Sequence, residues 1–238
     1  LGAGVLFVEH PRRDRERDHD LDLAGIQPDM AEPLKQKGLV VIKDERGWNK
    51  KLMINHKKAP YSDRRFRHAL AFAINQQEII DKSHRGFAMP ASYGLLSADH
   101  DMYNPNTPSY AFSPEKARAL LETMGYQKGA DGYYGKGGQA LKIELLSSNI
   151  TVAGQSVADR DGEVIKKQME QVGIKVDLVN LEQATTDSKV KTWNFDLAVS
   201  GHGGVSGDAR ILNEMILSKY GAGSVNSARY DEDAELAA

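Results

Sequence analysis

Three short runs within residues 141–178 decide the fold: Leu141-Lys142-Ile143-Glu144-Leu145, then Val164-Ile165 with Met169 and Val172-Gly173, then Ile174-Lys175-Val176-Asp177-Leu178. The first and third alternate apolar and polar residues, the period of a strand with one face buried. The middle run gathers its apolar residues on one helical face and stops at a glycine. Strand, helix, strand in that order predicts an α/β layer. Phe195, Leu197 and Val199 add a further strand, and Ile211, Leu212, Met215 and Ile216 a further helix. The fold class expected is therefore α/β, a mixed β-sheet flanked by helices. Such sheets hold ligands outside the carboxyl ends of their strands. That places the candidate ligand-facing loops at Ser147–Gln155, Asn180–Thr186 and Gly201–Asp208.

Upstream, Ser113 as N-cap and Pro114 at the first helical position open a helix with Ala117, Leu120, Leu121 and Met124 on one face, closed by Gly125. A helix is also predicted after Asp63, with Phe66, Ala69, Leu70, Ala73 and Ile74 facing the core. Asn75, followed three residues later by Glu78, reads as a capping-box variant that restarts a second helix through Ile80 and Lys82, stopped at Gly86. Between Phe87 and Ala111 there is no helical period, and Pro90, Gly94, Pro105 and Pro108 punctuate a long irregular crossing. Gly129–Gly138 reads as a turn or short hairpin. Leu39–Ile42 and Leu52–Ile54 read as two strands, and a hairpin through Lys43–Gly47 is the simplest connection. No internal repeat or low-complexity tract occurs.

Composition bounds the function. With 238 residues, 40% apolar and 27% charged, the chain can bury a core, and its 22 glycines and 8 prolines fit neither collagen nor a disordered tract. A net charge of −2 supplies no general field for nucleic acid. The charge run Arg12–Asp20 interleaves arginines with carboxylates that cancel them, so it reads as a solvated segment. The absence of cysteine removes disulfides, thiolate metal sites and cysteine nucleophiles together. Leu1–Val8 is too short to span a bilayer and lacks the basic flank and cleavage site of a signal peptide, so any export signal would have to lie upstream in a longer parent.

The run Ala59-Pro60-Tyr61-Ser62-Asp63-Arg64-Arg65-Phe66-Arg67-His68-Ala69-Leu70-Ala71-Phe72-Ala73-Ile74-Asn75 resembles the signature of the family 5 extracellular solute-binding proteins. Those are the oligopeptide, dipeptide and nickel receptors of bacterial ABC importers. Tyr110-Ala111-Phe112-Ser113-Pro114-Glu115-Lys116-Ala117, with Leu120-Leu121 and Gly125-Tyr126, is similar to a second segment of that family. Asp131-Gly132, Val172-Gly173-Ile174 and Phe195-Asp196-Leu197 match in order and approximate spacing. The resemblance covers residues 21–230. It departs at His19-Asp20-Leu21-Asp22, where relatives commonly carry Gly-Glu-Ile-Asp.

The resemblance implies one lobe of a type II periplasmic-binding-protein-like receptor. Residues 1–20 would be a poorly defined charged segment, 21–58 a connecting segment with strands between lobes, and 59–238 the second α/β lobe, truncated at its C-terminal end. A missing first lobe of the same protein, an ABC transporter permease and a small-molecule or peptide ligand are the partners it implies. Neither nucleic acid nor a cofactor is among them, and a monomer is expected. The location implied is periplasmic or extracellular, and an upstream segment could supply a lipid anchor.

Candidate ligand contacts lie in three places. In Gly201–Asp208 the glycines let backbone approach a ligand closely. The resemblance implies a tryptophan at His202 and an amine-pairing aspartate at Val205, and this sequence has neither. His202, Gly203, Gly204, Val205 and Asp208 are the candidates there, although Asp208 reads first as the N-cap of the following helix. Ser147, Ser148 and Asn149, expected just past a strand end, offer hydroxyls and an amide to a peptide backbone. Tyr93 offers a ring for stacking. No metal site is expected, because His202 has no second histidine at ligand spacing. No catalytic residue is expected either. Gly154-Gln155-Ser156-Val157-Ala158 only approaches a nucleophile elbow, and Walker, zinc-protease and dinucleotide motifs are missing.

Overall fold

The computed structural model describes residues 6–9, 30–43, 48–93, 96, 98, 100–152, 155–203 and 216. The helix expected over Ile211–Ile216 lies outside them apart from Ile216. In chain order the elements are β1 (Leu6–Glu9), α1 (Ala31–Gln36), β2 (Val40–Lys43), β3 (Trp48–Ile54), α2 (Arg64–Ala73), α3 (Gln76–His84) and α4 (Pro114–Thr123). Then come β4 (Gln127–Lys128), β5 (Tyr134–Lys136), β6 (Gln139–Ala140), β7 (Lys142–Val152), β8 (Gln155–Ala158), α5 (Arg160–Val172), β9 (Lys175–Leu181), α6 (Gln183–Lys191) and β10 (Leu197–Gly203).

The main sheet is mixed. β7 runs parallel to β9, from Lys142 opposite Lys175 to Ser148 opposite Leu181, and parallel to β10 at Leu145 and Leu146. β3 lies antiparallel on β10, and the far half of β7 turns back through β8. Because side chains alternate across a strand, each strand feeds two cores. Ile143, Leu145, Val176, Leu197 and Val199 bury against α2, α4 and α5. Leu146, Met53 and Ala198 point to the other face, with Val190 of α6 and Phe195.

The hairpin expected between residues 39 and 54 does not form. β2 pairs with β1, and β3 pairs with β10. The physical reason is visible in β3 itself: Leu52 and Ile54 belong to one core and Met53 to the other, which an isolated two-stranded ribbon cannot satisfy. The Gly129–Gly138 turn is part of a three-stranded sheet, β4-β5-β6. Tyr134 of β5 is buried, its hydroxyl donates to Glu122 Oε1 at 2.8 Å, and its amide donates to Gly173 O at 2.7 Å. Gly173 ends α5 at φ 103°, and a Cβ there would sit 3.0 Å from the Tyr134 ring, so the predicted stop is also a packing requirement.

The helix signals hold. Asp63, Asn75 and Ser113 cap α2, α3 and α4 by accepting from the amides of Arg65, Glu78 and Lys116. Phe66, Ala69, Leu70 and Ala73 are the buried face of α2. The capping box at Asn75 is completed from outside the helix. Gln168 of α5, buried, accepts from the Asn75 amide and donates to Asn75 O and Glu78 Oε2, at 3.1, 3.1 and 2.8 Å.

An ionic cluster joins β3, α3 and α5. Lys50 Nζ binds Asp159 Oδ2 and lies 3.2 Å from Asp161 Oδ2, while Asp161 Oδ1 meets His84 Nε2 at 2.9 Å. Asp159 caps α5 by accepting from the Asp161 amide. Burial works against the Asp161 carboxylate, but hydrogen bonding to His84 and the charge of Lys50 outweigh it and hold its pKa down to about 2. Lys50 is raised above its ordinary value: burial opposes the charge, and the fields of Asp161 and Asp159 overcome it.

Two outcomes are expected. A carboxylate with a depressed folded pKa stabilises the fold above its unfolded pKa of 3.8 and loses that contribution as pH falls towards about 2. Acid unfolding followed by circular dichroism should show that loss, about 2 to 3 kcal/mol, and Asp161→Asn should flatten the slope in the same window. Gln168→Leu should cost about 1 to 3 kcal/mol by orphaning the Asn75 amide, whose carbonyl keeps the Ile79 amide as a donor, and hydrogen exchange at the Asn75 amide should accelerate more than in the body of α2.

Candidate functional site

The carboxyl ends of β7, β9 and β10 meet the start of β3 and the first turn of α5 along one edge of the sheet. Ser147 sits inside β7 opposite Asn180 and Ser148 opposite Leu181, so the expected Ser147–Gln155 loop is instead strand and hairpin. The apolar and β-branched residues beyond Ser148 keep the chain extended, and β8 supplies the missing ladder partner. Both serines are buried, and neither hydroxyl has a hydrogen-bond partner. Gly162 brings α5 against this point: a Cβ there would come within 3.0 Å of Ser147 Oγ and of Leu178. Asn149 points outward, its amide donating to Glu182 Oε1 at 3.4 Å.

The expected loop Asn180–Thr186 is also shorter than predicted. β9 runs to Leu181 and α6 begins at Gln183. α6 carries almost no apolar stripe, burying only Thr186 and Val190, so hydrophobic periodicity had nothing to register. His202 and Gly203 are the last residues of β10, in register with Asn49 and Trp48. Gly204, Val205 and Asp208 lie outside the described residues.

Tyr93 stands apart from that edge. It is 42% exposed, its hydroxyl donates to Tyr110 O at 2.6 Å, and its ring meets Tyr110 edge-on at 5.1 Å. Partial burial raises its pKa. Tyr93 and Ser92 line a cavity of about 270 Å³ floored by Leu52, Leu70, Ile79 and Val199. Asn49, Lys50 and Asp161 form another part of its wall. Through Asn49, the register partner of His202, the cavity reaches the carboxyl edge.

The charged lining was missed by sequence reasoning. Lys51 is held down to about 8 by burial alone, and Arg67 donates to the carbonyls of Tyr61 and Ser62 at 2.8 and 2.9 Å. A lysine in a strand reads as a solvent-facing position, and only tertiary pairing brings Lys50 inward. Asp159-Arg160-Asp161 did carry a legible cap signal, since α5 begins at Arg160, four residues before its first apolar position. Among the described residues no group of three or more His, Asp or Glu could hold a metal ion, and no helix is long and apolar enough to cross a membrane.

The profile described as bacterial extracellular solute-binding proteins, family 5 Middle, matches residues 9–224. Heme-binding protein A of Haemophilus influenzae is 26% identical over 211 residues, covering 88% of this chain and 35% of that protein. The nickel-binding periplasmic protein of Escherichia coli is 30% identical over 155 residues, covering 61% of this chain and 27% of that protein. The chain thus spans about a quarter to a third of the length of these relatives. In fold it is similar to the oligopeptide-binding protein AppA of Bacillus subtilis, solved with a nonapeptide, at a TM-score of 0.70 and 20% identity, covering 88% of this chain and 41% of that one. With the profile running through both the Ala59–Asn75 signature and the strands of the mixed sheet, the chain belongs to the family 5 bacterial extracellular solute-binding proteins.

Proposed function

We propose that this chain is the second lobe of an extracytoplasmic receptor that captures a small solute, foremost an oligopeptide, and delivers it to an ABC permease. The observation that carries the reading is the carboxyl edge of the mixed sheet. There Ser147, buried with its hydroxyl unpartnered, lies against Gly162 in the first turn of α5, and Asp161 of the same turn lines a cavity of about 270 Å³. Within this reading residues 1–20 are a charged lead-in, 21–58 pass between lobes, and 59–238 form the lobe. The solute contacts read from the sequence are Ser147, Ser148, Asn149, His202, Gly203, Gly204, Val205 and Asp208, with Tyr93 on the cavity side. The protein acts outside the cytoplasm as a binding protein and carries out no reaction of its own.

Capture works by hinge closure. The solute bridges two lobes, and the closed form is favoured only by contacts that the open form lacks. One lobe supplies one wall, so the chain alone has little with which to hold a solute. A receptor for a non-peptide solute, such as a nickel chelate, a sugar or an opine, is the second reading. Val205, standing where the resemblance implies an acidic amine anchor, favours it.

A thermal-shift screen tests both readings, using pooled di- to pentapeptides, amino acids, sugars, nickel with histidine, and heme. It is run on the chain alone and on the chain joined to a first lobe. The joined protein should gain several degrees with one pool, while the chain alone gains none. A rise with peptides supports the first reading, and a peptide-silent rise with another pool supports the second. Micromolar binding by the chain alone, or silence of the joined protein in every pool, overturns the two-lobed mechanism.

A further inference from the structure

Asp159 and Asp161 stand two residues apart at the start of α5, both nearly excluded from water, with side chains 7% and 2% exposed. Asp159 uses one oxygen to cap the Asp161 amide and the other on Lys50. Asp161 gives Oδ1 to His84, and its Oδ2, which lies near Lys50, receives no well-directed hydrogen bond. Two carboxylates therefore face one ammonium. Asp161 and Lys50 also line the cavity of about 270 Å³, whose apolar floor suits an alkyl chain. A paired, dehydrated carboxylate set beside an apolar wall matches one ligand chemistry, a primary alkylammonium.

We infer that the Asp159–Asp161 pair is an ammonium-binding site that the chain keeps filled with its own Lys50. The consequence for solute capture rests on the receptor reading. The carboxylates at this edge already hold an ammonium from within, so a solute's free amino group finds that place taken. Lys50 is a tethered occupant: its stem lies along the cavity wall and its Nζ takes the place an external amine would take.

Removal of the tether tests this. Lys50→Ala deletes Cγ, Cδ, Cε and Nζ, which n-propylammonium replaces atom for atom. The 238-residue chain carrying Lys50→Ala should unfold at a lower Tm than the unsubstituted chain, because two buried carboxylates lose their counter-ion. n-Propylammonium should restore Tm saturably, by about 3–6 °C at ten times its apparent Kd, whereas tetramethylammonium at equal ionic strength should not. The unsubstituted chain, with its site filled, and Lys50→Met, whose side chain occupies the space without charge, should not respond to n-propylammonium. If Lys50→Ala does not fold unaided, the refolding yield with each cation is compared instead. An equal effect of the two cations, or an equal gain in the unsubstituted chain or Lys50→Met, overturns the inference. Silence in the solute screen would overturn the receptor reading alone and leave the n-propylammonium result to decide the site.

Discussion

β7 has to bury side chains on both of its faces at once, and the rest of the fold follows from that constraint. Ile143 and Leu145 face one core and Leu146 the other, so helices must cover both sides of the sheet. β9 and β10 flank β7 in parallel, and their own alternation repeats the division: Val176 and Leu197 on one face, Val179 and Ala198 on the other. Parallel neighbours need crossover connections, which α5 and α6 supply. β3 then joins β10 antiparallel and brings Leu52 and Met53 into the two cores. The carboxyl ends are left along one edge because three of these strands run the same way.

Polar groups at that edge are fixed by partners distant in sequence. Lys50 reaches α5 across more than a hundred residues, and His84 reaches it from the end of α3. The charges hold the first turn of α5 against β7, where Gly162 permits the close approach to Ser147. At the other end of the sheet Asn55 does comparable work. Its amide donates to the carbonyls of Trp193 and Phe195, at 3.0 and 2.8 Å, and pins the connection that carries α6 into β10. Trp193 has φ 60°, an unusual conformation for a bulky residue, and its own carbonyl takes one of the two Asn55 bonds.

Much of the helical layer was legible. Caps at Asp63, Asn75 and Ser113 are local chemistry: a side-chain oxygen two or three residues ahead of a free amide, and sequence spacing encodes that directly. α6 was illegible for the opposite reason, since Gln183–Lys191 has neither a side-chain cap nor an apolar stripe, and its position follows from the ends of β9 and β10. The serines at 147 and 148 were picked out for their chemistry but assigned to a loop, because only the pairing with β9 and β8 shows that β7 continues through them. The aspartate pair and Lys50 were passed over, since a charge in isolation reads as solvent-facing.

The sequence by itself determined the α/β order, the helix boundaries that depend on caps and terminal glycines, and the family, because each is written in residues close together in the chain. Tertiary structure alone decided which strand pairs with which, and so turned an expected hairpin into strands of two different sheets. It also decided the burial of Lys50, Asp159 and Asp161 and the approach of α5 to Ser147. Burial and pairing are properties of surfaces that meet, and the surfaces meeting here lie far apart in sequence.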